Sequence, residues 1–161
     1  MKKKFVYRVE SRRLPNGMVT RFQLIEHPGA VLIVPRLKKD QVIVLRQYRV
    51  VLKKYLYELP AGNINRGETP FACARRELIE ETGYRGKRWQ RLGLIYPVPG
   101  YSTEKIFIYE ASDLVPASAE KDADEIIHTK VMSRSQIKQL FRKGLIQDAK
   151  TICALAFKGW I

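Results

Sequence analysis

Cysteine and histidine are scarce in this chain, which has two of each among its 161 residues. Cys73 and Cys153 lie far apart, so they predict neither a disulfide framework nor a cysteine-rich metal site. We expect both to be buried thiols, which fits a reducing, cytoplasmic setting. His27 and His128 are isolated from each other, and we interpret each as structural rather than catalytic.

Long apolar runs are missing as well. No stretch approaches the roughly 18 consecutive apolar residues that indicate a membrane-spanning helix. The N-terminus, residues 1–7, is basic but leads into no long apolar segment, so it does not predict a signal peptide. The 45% hydrophobic content is that of a globular protein, and the length suits one domain with a full core.

Acidic residues are few, since 16 Asp and Glu stand against 30 Lys and Arg, for a net charge of +14. Residues 1–60 hold 14 of the basic residues and only 4 of the acidic ones. Such a surface attracts anions, including nucleotides and nucleic acid. The alternative is a plain soluble basic surface, because pairs such as Lys38-Lys39 fall at predicted turns. Nucleic acid therefore stays open as a partner but is not favoured.

The scarce carboxylates are concentrated on one predicted helix. Glu77, Glu80 and Glu81 stand at i, i+3 and i+4, so they share one helical face. Like charges at this spacing repel by about a few tenths of a kcal/mol per exposed pair, so the stripe predicts a cation among them. Hard divalent ions such as Mg²⁺ take oxygen ligands and usually hold substrate phosphates. A solvated acidic face is the alternative interpretation.

The neighbouring residues predict where this helix begins and ends. Thr69 suits the N-cap, and Pro70 suits the first helical turn. Gly83 suits the left-handed position that ends a helix. Upstream, residues 59–62 turn a strand into a loop. The predicted unit is therefore strand, loop and helix, with the acidic stripe facing back toward the loop.

Residues 62–84 resemble the Nudix box, G-x5-E-x7-R-E-U-x-E-E-x-G-U, in which U is a bulky aliphatic residue. The positions in register are Gly62, Glu68, Arg76, Glu77, Leu78, Glu80, Glu81 and Gly83. Tyr84 stands where an aliphatic residue is usual, which we interpret as a packing variation. The box implies metal-dependent cleavage of a diphosphate that is linked to another group.

Other segments resemble the ADP-ribose pyrophosphatase branch of that family. They are Arg46-Gln47-Tyr48-Arg49, the Glu58–Gly62 run, the turn that holds Pro99 and Glu104, and residues 16–30. Nucleoside diphosphate sugar hydrolases share several of these features. In that branch an Arg and an acidic residue two positions later reach the far nucleoside across a dimer. Arg21 matches the Arg, but Gln23 replaces the acid, so GDP-mannose or another sugar nucleotide stays open.

The resemblance implies an α/β protein with the Nudix fold, a mixed β-sheet sandwiched between α-helices, and an extra N-terminal antiparallel sheet. We expect a single Nudix domain over residues 1–161, divided into an N-terminal hairpin region, 1–28, and a core, 29–161. The hairpin is longer than one Nudix core requires, and the branch exchanges such sheets between subunits. We therefore expect a homodimer, which light scattering that detects only an 18.7 kDa species would refute.

The resemblance also implies a metal site. Glu77 and Glu81 are the expected principal ligands, Glu80 is a further ligand or partner, and the carbonyl of Ala61 completes the shell. Glu80 and Glu81 are thereby also expected to take part in catalysis. Glu68 is expected in a supporting contact, and Arg76 is expected to pair with a carboxylate and orient it.

The expected substrate contacts and general base lie outside the acidic helix. Arg49 is a candidate phosphate contact because a guanidinium matches phosphate geometry, with a surface strand residue as the alternative. The other expected substrate-binding residues are Arg21, Glu58, Pro99 and Glu104. Glu125, in the acidic segment before a predicted strand, is the expected base that activates water. A solvated acidic loop is the alternative there.

The leading functional prediction is Mg²⁺-dependent hydrolysis of ADP-ribose or a related nucleoside diphosphate sugar, with Mn²⁺ as a substitute. The products would be a nucleoside monophosphate and a sugar phosphate. One alternative is pyrophosphohydrolysis of nucleoside triphosphates or RNA 5′ ends, which would use the basic N-terminal third. Another is a non-catalytic Nudix module that senses an NAD-derived ligand, although the intact glutamate set argues against it.

Overall fold

The computed structural model describes residues 5–118 and 126–161. In chain order the elements are β1 (Val6–Arg13), β2 (Val19–Glu26), β3 (Ala30–Lys38), β4 (Gln41–Arg49), β5 (Lys54–Glu58), β6 (Ala61–Asn63), α1 (Pro70–Thr82), β7 (Tyr84–Ile95), β8 (Ile106–Pro116), β9 (Ile127–Ser133), α2 (Arg134–Arg142) and α3 (Ala149–Phe157). A short 3₁₀ turn, Val50–Leu52, separates β4 from β5. None of the helices in these ranges is long and apolar enough to cross a membrane.

Seven strands form one mixed sheet, as the sequence predicts. Its main path runs β5-β4-β3-β8-β7, with β6 paired to β3 and β9 paired to β4. Strands β3 and β8 are parallel, and the other pairs are antiparallel. The parallel pair lies at the centre of the sheet.

The apolar run at the start of β3 is buried on both faces because alternate residues point to opposite sides of the sheet. Leu32 and Val34 pack with residues of α2 and α3, including Ile137 and Leu155. Val31, from the opposite side of the same strand, packs in a second cluster with residues of α1. Helices thus cover both faces, which confirms the predicted sandwich.

Strands β1 and β2 form a separate two-stranded antiparallel sheet, as expected. Its turn includes Gly17, whose φ of 87° suits a residue without a Cβ. The hairpin meets the main body where the Ile25 N–H donates to the Tyr101 carbonyl at 2.8 Å and the Thr103 N–H donates to the Ile25 carbonyl at 3.0 Å. Large apolar side chains of the hairpin remain exposed, such as Tyr7 at 61%.

The predicted helix ends of α1 are confirmed. The Thr69 hydroxyl accepts from the Ala72 N–H, and Gly83 has φ 73° while its N–H donates to the Ile79 carbonyl. Two local expectations need correction. The pattern predicts β7 only from Trp89, but the strand begins at Tyr84, because basic side chains along this edge strand hide its periodicity. Both cysteines are free thiols, but Cys153 is only half-buried.

Candidate active site

The loop between β5 and α1 is held at its beginning by two hydrogen bonds. The Pro60 carbonyl accepts from the Ile33 N–H at 2.8 Å, which fixes the loop to the central strand. The Ala61 N–H donates to Glu81 Oε2 at 2.9 Å, which ties the same loop to the acidic face of α1. Glu81 is only 6% exposed. The loop backbone and the carboxylate of Glu81 are therefore placed side by side, as the sequence predicts.

Gly62 is where the loop approaches the helix most closely. A Cβ at this position would lie 1.9 Å from both Cδ and Oε1 of Glu77, which is far inside van der Waals contact. The φ of Gly62 is not in the left-handed region, so the backbone alone does not demand glycine. A side chain at this position would displace the carboxylate of Glu77, which occupies that space.

Arg76 joins three of the glutamates. Its guanidinium donates to Glu68 at 3.0 and 3.1 Å, to Glu77 Oε1 at 2.6 Å and to Glu80 Oε2 at 2.8 Å. It also donates to the Asn63 carbonyl at 3.3 Å. The prediction that Arg76 pairs with the box carboxylates is confirmed. One positive charge is therefore shared among three negative charges, and Glu81 adds a fourth carboxylate on the same helix.

These contacts shift the pKa values of Arg76, Glu68 and Cys73. Hydrogen bonding to Glu68 raises the pKa of Arg76 further above its ordinary value, and the same bond lowers the pKa of Glu68. Burial, followed by the nearby charges of Glu77 and Glu68, raises the pKa of the Cys73 thiol to about 12. Cys73 is thus a neutral thiol at physiological pH, which excludes it as a nucleophile.

The donor set suits a hard divalent cation, because it consists of carboxylates and a backbone carbonyl. The side chains of Glu77 and Glu80 are 12% and 34% exposed, so a cation could reach them from solvent. Within residues 5–118 and 126–161, no group of three or more Asp, Glu, His or Cys side chains is arranged as a ready ligand shell. The carboxylates are gathered around Arg76 instead, so the ligand roles of Ala61, Glu77, Glu80 and Glu81 stay predictions.

A second polar cluster adjoins this loop. Glu58, 1% exposed at the end of β5, accepts from Arg49 Nε at 2.6 Å and from Arg49 Nη2 at 2.5 Å. Lys150 of α3 donates to the same Glu58 Oε2 at 2.5 Å and to Asp148 Oδ1 at 2.8 Å. Arg49 is 38% exposed, so its guanidinium faces solvent beyond the Glu58 bond.

The pKa shifts in this second cluster favour the charged forms of both Glu58 and Arg49. Burial opposes ionisation of Glu58, but the Arg49 hydrogen bond and the Lys150 charge outweigh it, so the pKa of Glu58 is lowered. The pKa of Arg49 is raised, chiefly by its bond to Glu58, and the charges of Asp148 and Glu81 add to the effect. The charge of Glu81, a predicted metal ligand, thus contributes to the raised pKa of Arg49.

The other predicted substrate residues lie elsewhere. Arg21 is exposed on β2, opposite Ser11 of β1. Pro99 is exposed in the loop between β7 and β8, and Glu104 at the end of that loop is 3.8 Å from His27 Nε2. This loop contacts the hairpin rather than α1 in the bonds described above. Glu125 lies outside the described residues.

Sequence reasoning missed one set of residues near the loop. Thr151 Oγ1 accepts from the Leu59 N–H at 2.9 Å and donates to Asp148 Oδ2 at 2.6 Å. Asp148 is the N-cap of α3, accepting from the Thr151 N–H, and Lys150 links it to Glu58. Lys150 and Glu58 are 92 residues apart in the sequence, and no local pattern predicts such a contact.

Fold and site together define a hydrolase that acts on pyrophosphate bonds, in a class that generally uses a divalent metal. The chain belongs to the NUDIX domain family, which matches residues 26–155.

Two curated relatives and one solved structure illustrate the similarity. The chain is 32% identical over 151 residues to an ADP-ribose pyrophosphatase of Bacillus subtilis, covering 92% of this chain and 82% of that protein. It is 36% identical over 138 residues to a GDP-mannose pyrophosphatase of Escherichia coli O1:K1, covering 80% and 72%. A crystal structure of an ADP compounds hydrolase superposes with a TM-score of 0.83 at 26% identity, covering 99% and 88%. The predicted Nudix fold is thereby confirmed.

Proposed function

We propose that this protein hydrolyses the diphosphate bond of ADP-ribose or a related nucleoside diphosphate sugar in a Mg²⁺-dependent reaction. The observation that carries the proposal is the acidic face of α1 against the Ala61-Gly62 backbone, where Glu77 fills the space over Gly62 and Glu81 accepts from the Ala61 N–H. The names of the relatives support a substrate of this kind. The products would be a nucleoside monophosphate and a sugar phosphate.

In this proposal Glu77, Glu81 and the Ala61 carbonyl hold Mg²⁺, or Mn²⁺ in its place, with Glu80 as a further ligand. When bound, such an ion neutralises phosphate oxygens and acidifies water. Arg76 keeps the carboxylates on one side of the helix, and its bond to Glu68 anchors it to the loop. Both contacts limit how far the ligands can move when the site is empty of substrate.

Arg49 is the proposed contact for a diphosphate oxygen. Its bidentate bond to Glu58 fixes the plane of the guanidinium, and its exposed portion remains able to donate to a phosphate. Glu58 is buried, so we propose that it serves the substrate through Arg49. Glu125 is proposed as the base that takes the proton from the attacking water.

The identity of the base and sugar rests on residues away from α1. Arg21, Pro99 and Glu104 are the proposed contacts for this part of the substrate. Gln23, in place of an acidic residue, makes GDP-mannose the second candidate, and the similarity to a GDP-mannose pyrophosphatase favours it specifically.

A homodimer is part of the proposal, with one Nudix domain per chain. Hairpin region 1–28 would supply the contact between copies. A lone two-stranded hairpin is marginally stable in water, and this one leaves Tyr7, Met18 and Val19 each more than 60% exposed. A second copy that covers these side chains would place Arg21 near the partner's site.

A substrate panel tests the proposal. ADP-ribose, GDP-mannose, nucleoside triphosphates and a 5′-triphosphate RNA are incubated with Mg²⁺ in ¹⁸O-labelled water, and mass spectrometry identifies the products and the labelled phosphate. We expect the highest kcat/KM on a nucleoside diphosphate sugar, with the label in one of the two monophosphate products. Preferred turnover of triphosphates would favour the first alternative function. Saturable binding of ADP-ribose with no product would favour a sensing module.

A further inference from the structure

Helix α3 is fastened to the sheet at both ends by similar ion pairs. At its beginning, Lys150 binds the buried Glu58 of β5, which Arg49 also binds. Just beyond its end, Lys158 pairs with Oε2 of the buried Glu110 of β8, whose Oε1 accepts from Arg36 Nε at 2.7 Å. The Lys158 ammonium and Glu110 Oε2 form an ion pair, but the geometry of this contact is not that of a hydrogen bond. Each glutamate is therefore shared by one lysine and one arginine.

The two ends of α3 differ in the residues to which their ion pairs are connected. The Lys150 end continues through Asp148 to Thr151, whose hydroxyl accepts from the Leu59 N–H. Leu59 and Pro60 lead directly to Ala61, whose N–H donates to Glu81. The Lys158 end leads to Glu110 and Arg36, and the neighbouring Gly159 carbonyl accepts from Arg134 of α2. Among the residues that the structure describes, these bonds link the beginning of α3, and not its end, to the candidate active site.

We infer that Lys150 and Thr151, in the first turn of α3, are positioning residues for diphosphate hydrolysis that act through Glu58, Arg49 and the Leu59–Ala61 backbone. The inference rests on the proposed function, because it needs a diphosphate to occupy the site beside Arg49. Lys150 acts on the phosphate-binding side of the site. Thr151 acts on the loop that carries the metal-binding carbonyl.

Charge balance explains why Lys150 matters to an anion. Glu58 and Asp148 contribute two negative charges, and Arg49 and Lys150 contribute two positive charges, so the cluster is neutral. Without Lys150, the cluster would carry one net negative charge directly beside the guanidinium that receives the phosphate. Glu58 Oε2 would also lose one of its two donors and bind Arg49 alone. Both changes weaken the attraction of Arg49 for a diphosphate.

The test compares Lys150→Met with Lys158→Met, because each removes a lysine that fastens one end of the same helix. Steady-state kinetics are measured on the best substrate of the panel at low and high salt, with thermal unfolding recorded in parallel. We expect Lys150→Met to raise KM by about tenfold at low salt, less at high salt, with a smaller change in kcat. Lys158→Met should lower thermal stability but leave KM and kcat near the wild-type values. Lys150→Arg should restore most of the KM.

Variants of Thr151 test the inference independently if the Lys150→Met protein folds poorly. Thr151→Ser retains the hydroxyl and should behave as the wild type, whereas Thr151→Val leaves the Leu59 N–H without its acceptor and should lower kcat more than it raises KM. Equal kinetic effects of Lys150→Met and Lys158→Met would overturn the inference. A Lys150→Met protein that loses thermal stability but keeps the wild-type KM would also overturn it.

Equilibrium binding separates this inference from the proposed function. Calorimetry with a non-hydrolysable methylene analogue of ADP-ribose measures affinity whether or not the protein cleaves the natural compound. Weaker binding to Lys150→Met than to Lys158→Met supports the role of Lys150, even if the panel identifies another substrate. Equal binding to both variants contradicts it, even if the wild type hydrolyses ADP-ribose.

Discussion

The carboxylates around Arg76 of α1 and those at the two ends of α3 differ in burial and in the number of cations that bind them. On α1, the single guanidinium of Arg76 is shared by Glu68, Glu77 and Glu80. At the ends of α3, Glu58 and Glu110 are each bound by two cations. Each glutamate at the ends of α3 thus has two cationic partners, whereas one cation serves three glutamates around α1.

This difference separates a candidate metal site on α1 from the ion pairs that hold α3 against the sheet. A buried ion that has its partners is tolerated, whereas one without them costs several kcal/mol or shifts its pKa. At the ends of α3, one lysine and one arginine balance the charge of each glutamate. Around α1 one guanidinium binds three carboxylates, and these oxygen donors suit the divalent metal that Nudix pyrophosphatases generally use. The comparison thus leads to the same helix face as the Nudix box.

The largest expected effect comes from changing a carboxylate on α1. Glu77→Gln keeps the size of the side chain but removes its charge, so a divalent ion loses a charged ligand. We expect kcat/KM to fall by about 10³-fold, or about 4 kcal/mol, as for the loss of a metal contact. Kinetics over a Mg²⁺ titration measures this, and partial recovery at high Mg²⁺ is expected.

Stability provides the contrast for this variant. Removing one of three carboxylates that share Arg76 relieves repulsion, so Glu77→Gln should unfold in chelator at the wild-type temperature or slightly above it. Glu110→Gln should do the reverse, with lower stability and nearly normal turnover. A Glu77→Gln enzyme that turns over at the normal rate would remove the distinction between the two regions.

Gly62→Ala should have the next largest effect. The new Cβ would overlap the Glu77 carboxylate, which lies at the end of a flexible side chain and can move away. Folding should therefore be little affected, while kcat/KM falls by about 10²-fold because the displaced carboxylate no longer meets the loop. In the double variant Gly62→Ala/Glu77→Gln, activity should be no lower than in Glu77→Gln alone. Additive losses would show that Gly62 acts independently of Glu77.

The parts of this molecule that sequence predicts are those set by local rules. Helix α1, its cap at Thr69, its end at Gly83 and its acidic stripe all follow from residues within one or two turns of one another. The two-sided burial of β3 follows from an apolar run with no alternation. The Nudix box combines such rules, which is why the fold and the acidic helix could be predicted together.

What sequence did not predict depends on the path of the chain through space. The Lys150–Glu58 and Leu59–Thr151 bonds each join residues 92 positions apart, so neither leaves a periodic signal. The early start of β7 was missed because basic residues on an edge strand resemble a loop. Arg49 was predicted as a phosphate contact from the geometry of its guanidinium. Glu58, its bidentate partner, was predicted as a substrate-binding residue only from the resemblance to the ADP-ribose pyrophosphatase branch.

The smallest expected effect concerns pH and the compensated cluster. The pKa of Glu58 is lowered in the folded protein, so the stability from its ionised form is complete above its unfolded pKa of about 4.3 and is lost as pH falls through the lower folded value. At pH 7, Glu58→Gln should therefore reduce the free energy of unfolding by about 2 kcal/mol, a value reduced from a fully buried pair because Arg49 is partly exposed. Urea unfolding should show this difference shrinking below pH 4. A difference that stays constant down to pH 3 would mean that the Glu58 charge adds no stability, and that shape alone holds β5 to α3.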